Sequence, residues 1–292
     1  MYESDASRGT KPHLHLTSGR DHGVARAAAA HEAEENRLLH ALPLDDYASL
    51  RPELELVRLR PRQVLIEPDE PITHAWFVRT GVASIIAIDP EGDSMEVGTI
   101  GFEGFVGLPL LLEDETLPNF VIASLEGEAW RIHADDFRRV LDERPAVRRM
   151  CLRYAAWFTA QLAQSVVCNR IHTLEQRCAH WLLMTHDRVH HEPFALTHEF
   201  LAAMLGVRRA GVSIALGSLR NAGIIGNTRG LITVIDRARL EAASCSCHRL
   251  TQAALGRPLP VSPYPERSDA RRVTAETTDP KELARYRQPS RE

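Results

Sequence analysis

The stretch M204-LGVRRAGVS-213 decides how this chain is read. Leu201, Met204 and Leu205 recur at helical spacing, then Gly206 and two adjacent arginines interrupt a run that otherwise reads as buried helix. A glycine can end a helix in the left-handed conformation, and Val207 can then tuck into the angle before a second helix. Working backward, Thr197 is an N-cap candidate with Glu199 in the first turn, favourable to the helix dipole. Working forward, Val212, Ala215, Leu216 and Leu219 form one buried stripe. After Gly223, I224-IGNTRGLITVI-235 reads as two short strands around a polar turn, a β wing. The expectation is a winged helix-turn-helix.

On that geometry Arg208 and Arg209 head the second helix. Arg208 at the cap position forgoes a Ser or Thr cap at a cost of about 1 kcal/mol. Gly211 and Gly217 cost roughly 1 kcal/mol each relative to Ala inside a helix. A helix built at this local expense is expected to fit a surface. Counting 100° per residue, the face opposite the buried stripe holds Ala210, Ser213, Ile214, Gly217 and Asn221. In a major groove, an arginine can donate two hydrogen bonds to guanine, while Ala210 and Ile214 can touch thymine methyls. The expected base readers are therefore Arg208, Arg209, Ala210, Ser213 and Ile214. Thr197, His198, Arg220 and Arg229 are expected on phosphates.

The 292 residues are 44% hydrophobic, enough for two ordinary domains with real cores. Charge is uneven along them. Residues 36–140 carry nine arginines and no lysine against nineteen acids; residues 170–250 carry ten arginines against six acids. An acidic first half and a mildly basic second suit a regulator whose second half meets a polyanion. No apolar run reaches the roughly 18 residues of a membrane span, and no signal core follows the N-terminus, so a cytoplasmic location is expected.

Between Leu54 and His133 short apolar runs alternate with turn signals, as expected of a β barrel or roll, with VRTGVAS and DPEGD taken as tight connections between paired strands. A long stretch free of Gly and Pro follows, A146 to V189. In it Leu152, Ala155 or Ala156, Thr159, Leu162, Val166 and Asn169 recur near a 3.5-residue period, a seam suited to an identical helix from a second chain. The segment NRIHTLE, 169–175, is a candidate hinge. The expected class is α+β: a flexible tail over 1–35 that turns helical near its end, a sensor domain over 36–144, a dimerisation helix and hinge over 145–172, a winged helix-turn-helix over 173–247, and a flexible tail over 248–292.

The roll, the long helix and L196-THEFLAAMLGVRRAGVSIALGSLRNAGII-225 together resemble the Crp/Fnr superfamily of bacterial transcription factors, over roughly 36–247. The resemblance implies a cyclic-nucleotide-binding-like roll (a double-stranded jelly roll), a homodimer reading an inverted repeat in double-stranded DNA, contact with RNA polymerase, and an effector-responsive domain. It places Arg209 where many members have a base-reading arginine, whereas Ala210 and Ile214 replace the acidic and second basic readers. Cyclic-nucleotide members carry Gly-Glu for the ribose and an Arg-Ser/Thr-Ala run for the cyclic phosphate. Here, in the loop Gly107 to Val121, Leu108 stands in place of the acid, and Leu117, Pro118 and Asn119 occupy the arginine run. A buried phosphate would lack its charge-assisted partner, and Glu113, Asp114 and Glu115 lie nearby, so cyclic AMP is not expected. The effector stays unknown.

No cofactor is expected. Iron–sulfur members have an N-terminal cysteine cluster, and the first 150 residues here contain no cysteine. Cys245, Cys247 and His248 make a compact donor group without the second ligand pair of a structural zinc site, so no metal is expected there. Cys151, Cys168 and Cys178 are expected to be packed in helices, and His190 and His191 to lie in a solvated turn. No P-loop, G-x-S-x-G elbow, H-E-x-x-H or dinucleotide fingerprint is present, so no enzyme is expected. The alternative to a DNA-binding regulator is an interaction module built on the same roll that does not act through DNA.

Overall fold

The computed structural model describes residues 35–190 and 192–255; the tail readings for 1–34 and 256–292, and His191, lie outside the described residues. The chain opens with α1 (Arg37–His40), α2 (Leu44–Leu50) and a 3-10 turn (Arg51–Glu53). Asn36 anchors this start: it is buried, its Oδ1 caps Leu38 and Leu39, and its Nδ2 donates to the carbonyls of Val78 and Gly104.

The roll follows as β1 (Glu55–Leu59), β2 (Val64–Ile66), β3 (His74–Ile88), β4 (Ser94–Ile100), β5 (Phe105–Val106), α3 (Leu108–Leu111) and β6 (Phe120–His133). Its antiparallel sheet runs β1-β6-β3-β4, with β2 also on β6 and β5 on β3. DPEGD is a turn as expected: Asp89 and Asp93 pair across it, and Gly92 has φ 91°. VRTGVAS is not. It lies inside the single 15-residue strand β3, where the register against β6 shifts between Val78 and Val82. The glycine that suggested a turn marks a bulge instead. Gly81 has φ +82°, and a Cβ there would sit 2.5 Å from the Glu126 carbonyl oxygen; one at Gly127 would collide with that of Thr80. The two strands cross so closely there that only hydrogen fits on either side.

After α4 (Ala134–Glu143), α5 (Pro145–Ile171) runs for 27 residues, about 40 Å. One face is buried in the roll's core through Val147, Met150, Cys151, Tyr154 and Phe158. The expected seam lies elsewhere on the helix: Leu152, Ala156, Thr159, Val166 and Asn169 are exposed in the single chain, and Leu162 is half-buried against the roll. His172 ends α5, and Thr173 and Gln176 form a capping box that starts α6 (Leu174–Arg188). Then come β7 (Phe194–Ala195), α7 (His198–Leu205), α8 (Arg209–Asn221), β8 (Ile225–Thr228), β9 (Leu231–Val234), α9 (Arg237–Ala243) and α10 (Cys247–Leu255). The last corrects the expected tail at 248: residues through Leu255 are helical. His248 and Gln252 bond Asp187 at 2.9 and 2.8 Å, and Trp157 donates to the Thr251 carbonyl. No single helix among the described residues is long and apolar enough to cross a membrane.

The roll and the C-terminal half share a seam with a polar lock. Glu103 is 2% and Arg188 7% exposed, with Arg188 Nη2 2.6 Å from Glu103 Oε1. Arg188 also donates through Nε to the same oxygen and through Nη1 to the Met184 carbonyl, while Gly101 N–H donates to Glu103. Gln161 donates to the Thr99 carbonyl beside it. Replacing Glu103 with Gln leaves the guanidinium buried without its counter-charge. Urea unfolding should show a loss of about 3–5 kcal/mol, and the double replacement Glu103→Leu/Arg188→Met should recover most of it.

Candidate nucleic-acid interface

Thr197 Oγ1 accepts from Phe200 N–H at 3.1 Å and starts α7. Gly206, at φ 61° and ψ 43°, ends it: Val207 N–H reaches the Ala202 carbonyl and Gly206 N–H that of Ala203, the paired bonds of a left-handed helix stop. A substitution there would also press on Met95 of β4, 3.2 Å from the added Cβ. Helices α7 and α8 meet at 112°, within the range of helix-turn-helix units. Arg177 of α6 braces the corner, donating to the Leu205 carbonyl at 2.6 Å.

Val212, Ala215, Leu216 and Leu219 face the core, each almost fully buried. Arg208, Arg209 and Ala210 are exposed, as is Ile214 at 75%. Arg208 stands at the N-cap with no side-chain cap bond. Arg209 Nε lies 3.5 Å from Glu199 on α7, both side chains open to water, a pair too exposed to hold the arginine firmly. Ser213 is half-buried, and its Oγ lies 2.8 Å from His198 Nδ1. These two residues, read from sequence as a base contact and a phosphate contact, therefore bond each other and tie α7 to α8. The two glycines separate as well. A Cβ on Gly211 would meet Leu174 of α6 at 2.7 Å, whereas nothing lies within 4 Å of one on Gly217.

The wing pairs Thr228 with Leu231, leaving Arg229 and Gly230 as a two-residue turn at φ 53° and 83°. Arg229 is thus held exposed at the tip. Arg220 is exposed near the end of α8. Strand β7, which the sequence reading missed, adds to β9 and makes the wing three-stranded. Its two residues are too few to leave a periodic signal.

On the sensor side, Gly107 at φ 108° starts α3, whose Leu110 and Leu111 are buried in the roll, and Leu108 and Leu117 pack on the same core. The acids beyond it are exposed; Glu113 pairs with Arg148 and Glu115 with Arg138. A cleft of about 700 Å³ lies between roll and wing, with Arg62, Gly81, Glu126, Phe200 and Arg229 among its walls.

A cyclic nucleotide-binding domain model matches residues 56–144, and a Crp-like helix-turn-helix domain model matches residues 176–243, together more than half of the chain. The chain belongs to the Crp/Fnr superfamily. Its two matched domains make it a DNA-binding transcription regulator. No curated protein sequence matches it significantly. Its fold is similar to that of FixK2 from Bradyrhizobium japonicum (19% identity, TM-score 0.57, 66% of this chain and 98% of that one). It is also similar to a putative Crp/Fnr-family regulator from Eubacterium rectale (18%, 0.56, 73% and 98%). The c-di-GMP-responsive regulator CLP of Xanthomonas campestris is a third such structure (15%, 0.54, 66% and 99%).

In this Crp/Fnr chain a carboxyl sits in the seam under the helix-turn-helix. Glu96 of β4 accepts from Ser84 Oγ and from Trp181 Nε1, the latter at 2.9 Å, and Trp181 packs edge-on to Phe200 of α7. Burial pushes its pKa up to about 7, against the opposing pull of those two donors and of Arg188. A carboxyl raised in the folded state contributes stability that is complete below its unfolded pKa and is lost as pH rises through the folded one. Thermal unfolding followed from pH 4.5 to 8 should therefore show the wild type losing stability relative to Glu96→Gln, with most of the change complete a little above pH 7.

Proposed function

We propose that the protein is a homodimer that binds an imperfect palindrome in double-stranded DNA through α8, without cyclic AMP. The observation that carries this reading is the outer face of α8. Arg208, Arg209, Ala210 and Ile214 are exposed together on a helix whose other side is fully packed, two cationic forks beside two apolar side chains. Arg208 and Arg209 supply bidentate donors for guanine, and Ala210 and Ile214 supply contacts for thymine methyls. Thr197, Arg220 and the wing-tip Arg229 flank this face as phosphate contacts; His198 has only Nε2 left for that task and acts chiefly as a brace.

Pairing through α5 is supported by its bare side. Leu152, Val166, Val167 and Ile171 are exposed, Val166 and Ile171 at 70% each, beside exposed Ala156, Thr159 and Asn169. Two such helices in parallel would set the α8 pair about 34 Å apart, one turn of DNA. Against cyclic AMP stand two leucines on the apolar core: Leu108 where the ribose would need an acid, and Leu117 in the run where a cyclic phosphate would need a guanidinium. The protein acts in the cytoplasm, alongside RNA polymerase, as a regulator rather than an enzyme; the arrangement of the promoter decides between activation and repression.

Footprinting of the purified protein on genomic fragments should recover a two-fold symmetric site. Arg209→Ala should weaken that site roughly 5- to 150-fold while leaving random DNA nearly unchanged. Equal losses on both would make Arg209 a phosphate contact and sink the base-reading assignment. Arg229→Ala should weaken all sequences alike and lower the salt slope by about one. Gly217→Ala should raise stability by about 1 kcal/mol yet weaken operator binding, because the added methyl stands on the face that meets DNA.

A further inference from the structure

Two donor pairs that are far apart in sequence, Cys168 with His172 and Cys245 with Cys247, converge where α5 ends. Cys168 lies in the last turn of α5 and His172 at its C-cap, while Cys245 and Cys247 enter from the junction of α9 and α10. Cys168 Sγ is 3.6 Å from Cys245 Sγ, and Cys247 Sγ is 3.5 Å from His172 Nδ1. All four donor atoms lie within 4.8 Å of one another, and the three sulfurs are buried in a cluster of their own. Bonds of about 2.3 Å to sulfur and about 2.05 Å to nitrogen at tetrahedral angles require edges of about 3.8 Å between sulfurs and about 3.5 Å from sulfur to nitrogen. The Cys168–Cys245 and Cys247–His172 edges lie close to this frame, and the other four fall within 4.8 Å, near enough for small side-chain shifts to close them on one ion.

We propose that Cys168, Cys245, Cys247 and His172 form a closed tetrahedral site for a single thiophilic divalent ion of the zinc class. The second ligand pair that the sequence around Cys245 lacks is supplied by α5. His248, the neighbour that looked like a ligand, is turned away onto Asp187. Three thiolates and an imidazole favour zinc over harder, oxygen-seeking cations, and four protein donors leave no open position for catalysis. The donors are too compact to span a multi-iron cluster, whose thiolates bind separate metal atoms. Each thiol binds as thiolate and gives its proton to solvent, so loading releases up to three protons. Gln164 Nε2, 3.0 Å from Cys247 Sγ, supplies an outer hydrogen bond to the site. The ion would staple the end of α5 to the segment that closes the C-terminal half, fixing the junction between them.

The test uses the full chain, purified with reductant, stripped of metal and titrated with cobalt(II). One equivalent per chain should bind with thiolate charge-transfer and tetrahedral ligand-field absorption, and zinc should displace it. Cys168→Ser and Cys245→Ser, checked for folding by circular dichroism, should each weaken uptake at least about tenfold. His172→Ala should keep the charge-transfer bands while changing the ligand field. Cys178→Ala, in the separate core of α6, should bind as the wild type does. Folded protein that takes up no stoichiometric cobalt, a Cys168→Ser variant that binds like Cys178→Ala, or a Cys168–Cys245 disulfide that persists in reductant would each overturn the site.

Discussion

The position of the DNA-binding half depends on the buried pair between Glu103 and Arg188. Two charges removed from water are stable only if their mutual attraction and their remaining hydrogen bonds offset the loss of hydration. Here the fold meets that condition from both sides. Gly101 supplies an N–H to the carboxylate, and its missing side chain leaves the room that Arg188 fills, since a Cβ there would lie 2.5 Å from the arginine's Cδ. An apolar contact of the same area tolerates sliding. A buried ion pair does not, because a small displacement leaves a bare charge, so the seam has a narrow set of permitted geometries.

Helix α5 transmits that geometry. Its inner face packs so closely on the roll that a Cβ on Gly98 would stand 2.8 Å from both Phe158 and Leu162. Its outer side is the proposed dimer seam, and Leu162 borders both. Any shift of β4 therefore reaches the helix that, in the proposed dimer, would set the spacing of the two α8 copies. Strand β4 also reaches the DNA-binding unit directly, through Met95 at the Gly206 corner and Glu96 at Trp181. An effector that favours one arrangement of β4 has a physical route to the DNA, provided it binds the alternative arrangements with different affinity.

What the sequence made legible follows from the range of the forces involved. The helix-turn-helix was readable because its cap, its left-handed glycine and its buried stripe are local features within 25 residues. The roll is legible as a class, but VRTGVAS reads as a turn because a glycine flanked by strand residues has the same local signature at a bulge as at a hairpin. Cys168 and Cys245 are 77 positions apart, and Glu103 and Arg188 are 85 apart. No periodicity links such pairs; only the topology brings them together. The helical start of the supposed C-terminal tail was missed for the same reason, since His248 and Gln252 are held by Asp187, a partner 61 and 65 positions away.

The two glycines of α8 show how a local cost divides between folding and function. From the sequence alone, both point to a surface to be fitted. Gly211 is explained inside the molecule, because Leu174 occupies the space a side chain would take. Gly217 has open space around it, so no packing in the folded chain requires its roughly 1 kcal/mol penalty. The proposed contact with DNA would account for a residue that weakens its own helix without relieving an internal clash. Gly217 shares its face with Ile214, an apolar side chain left in water, and in the proposed complex both costs would fall as that face is pressed against a groove.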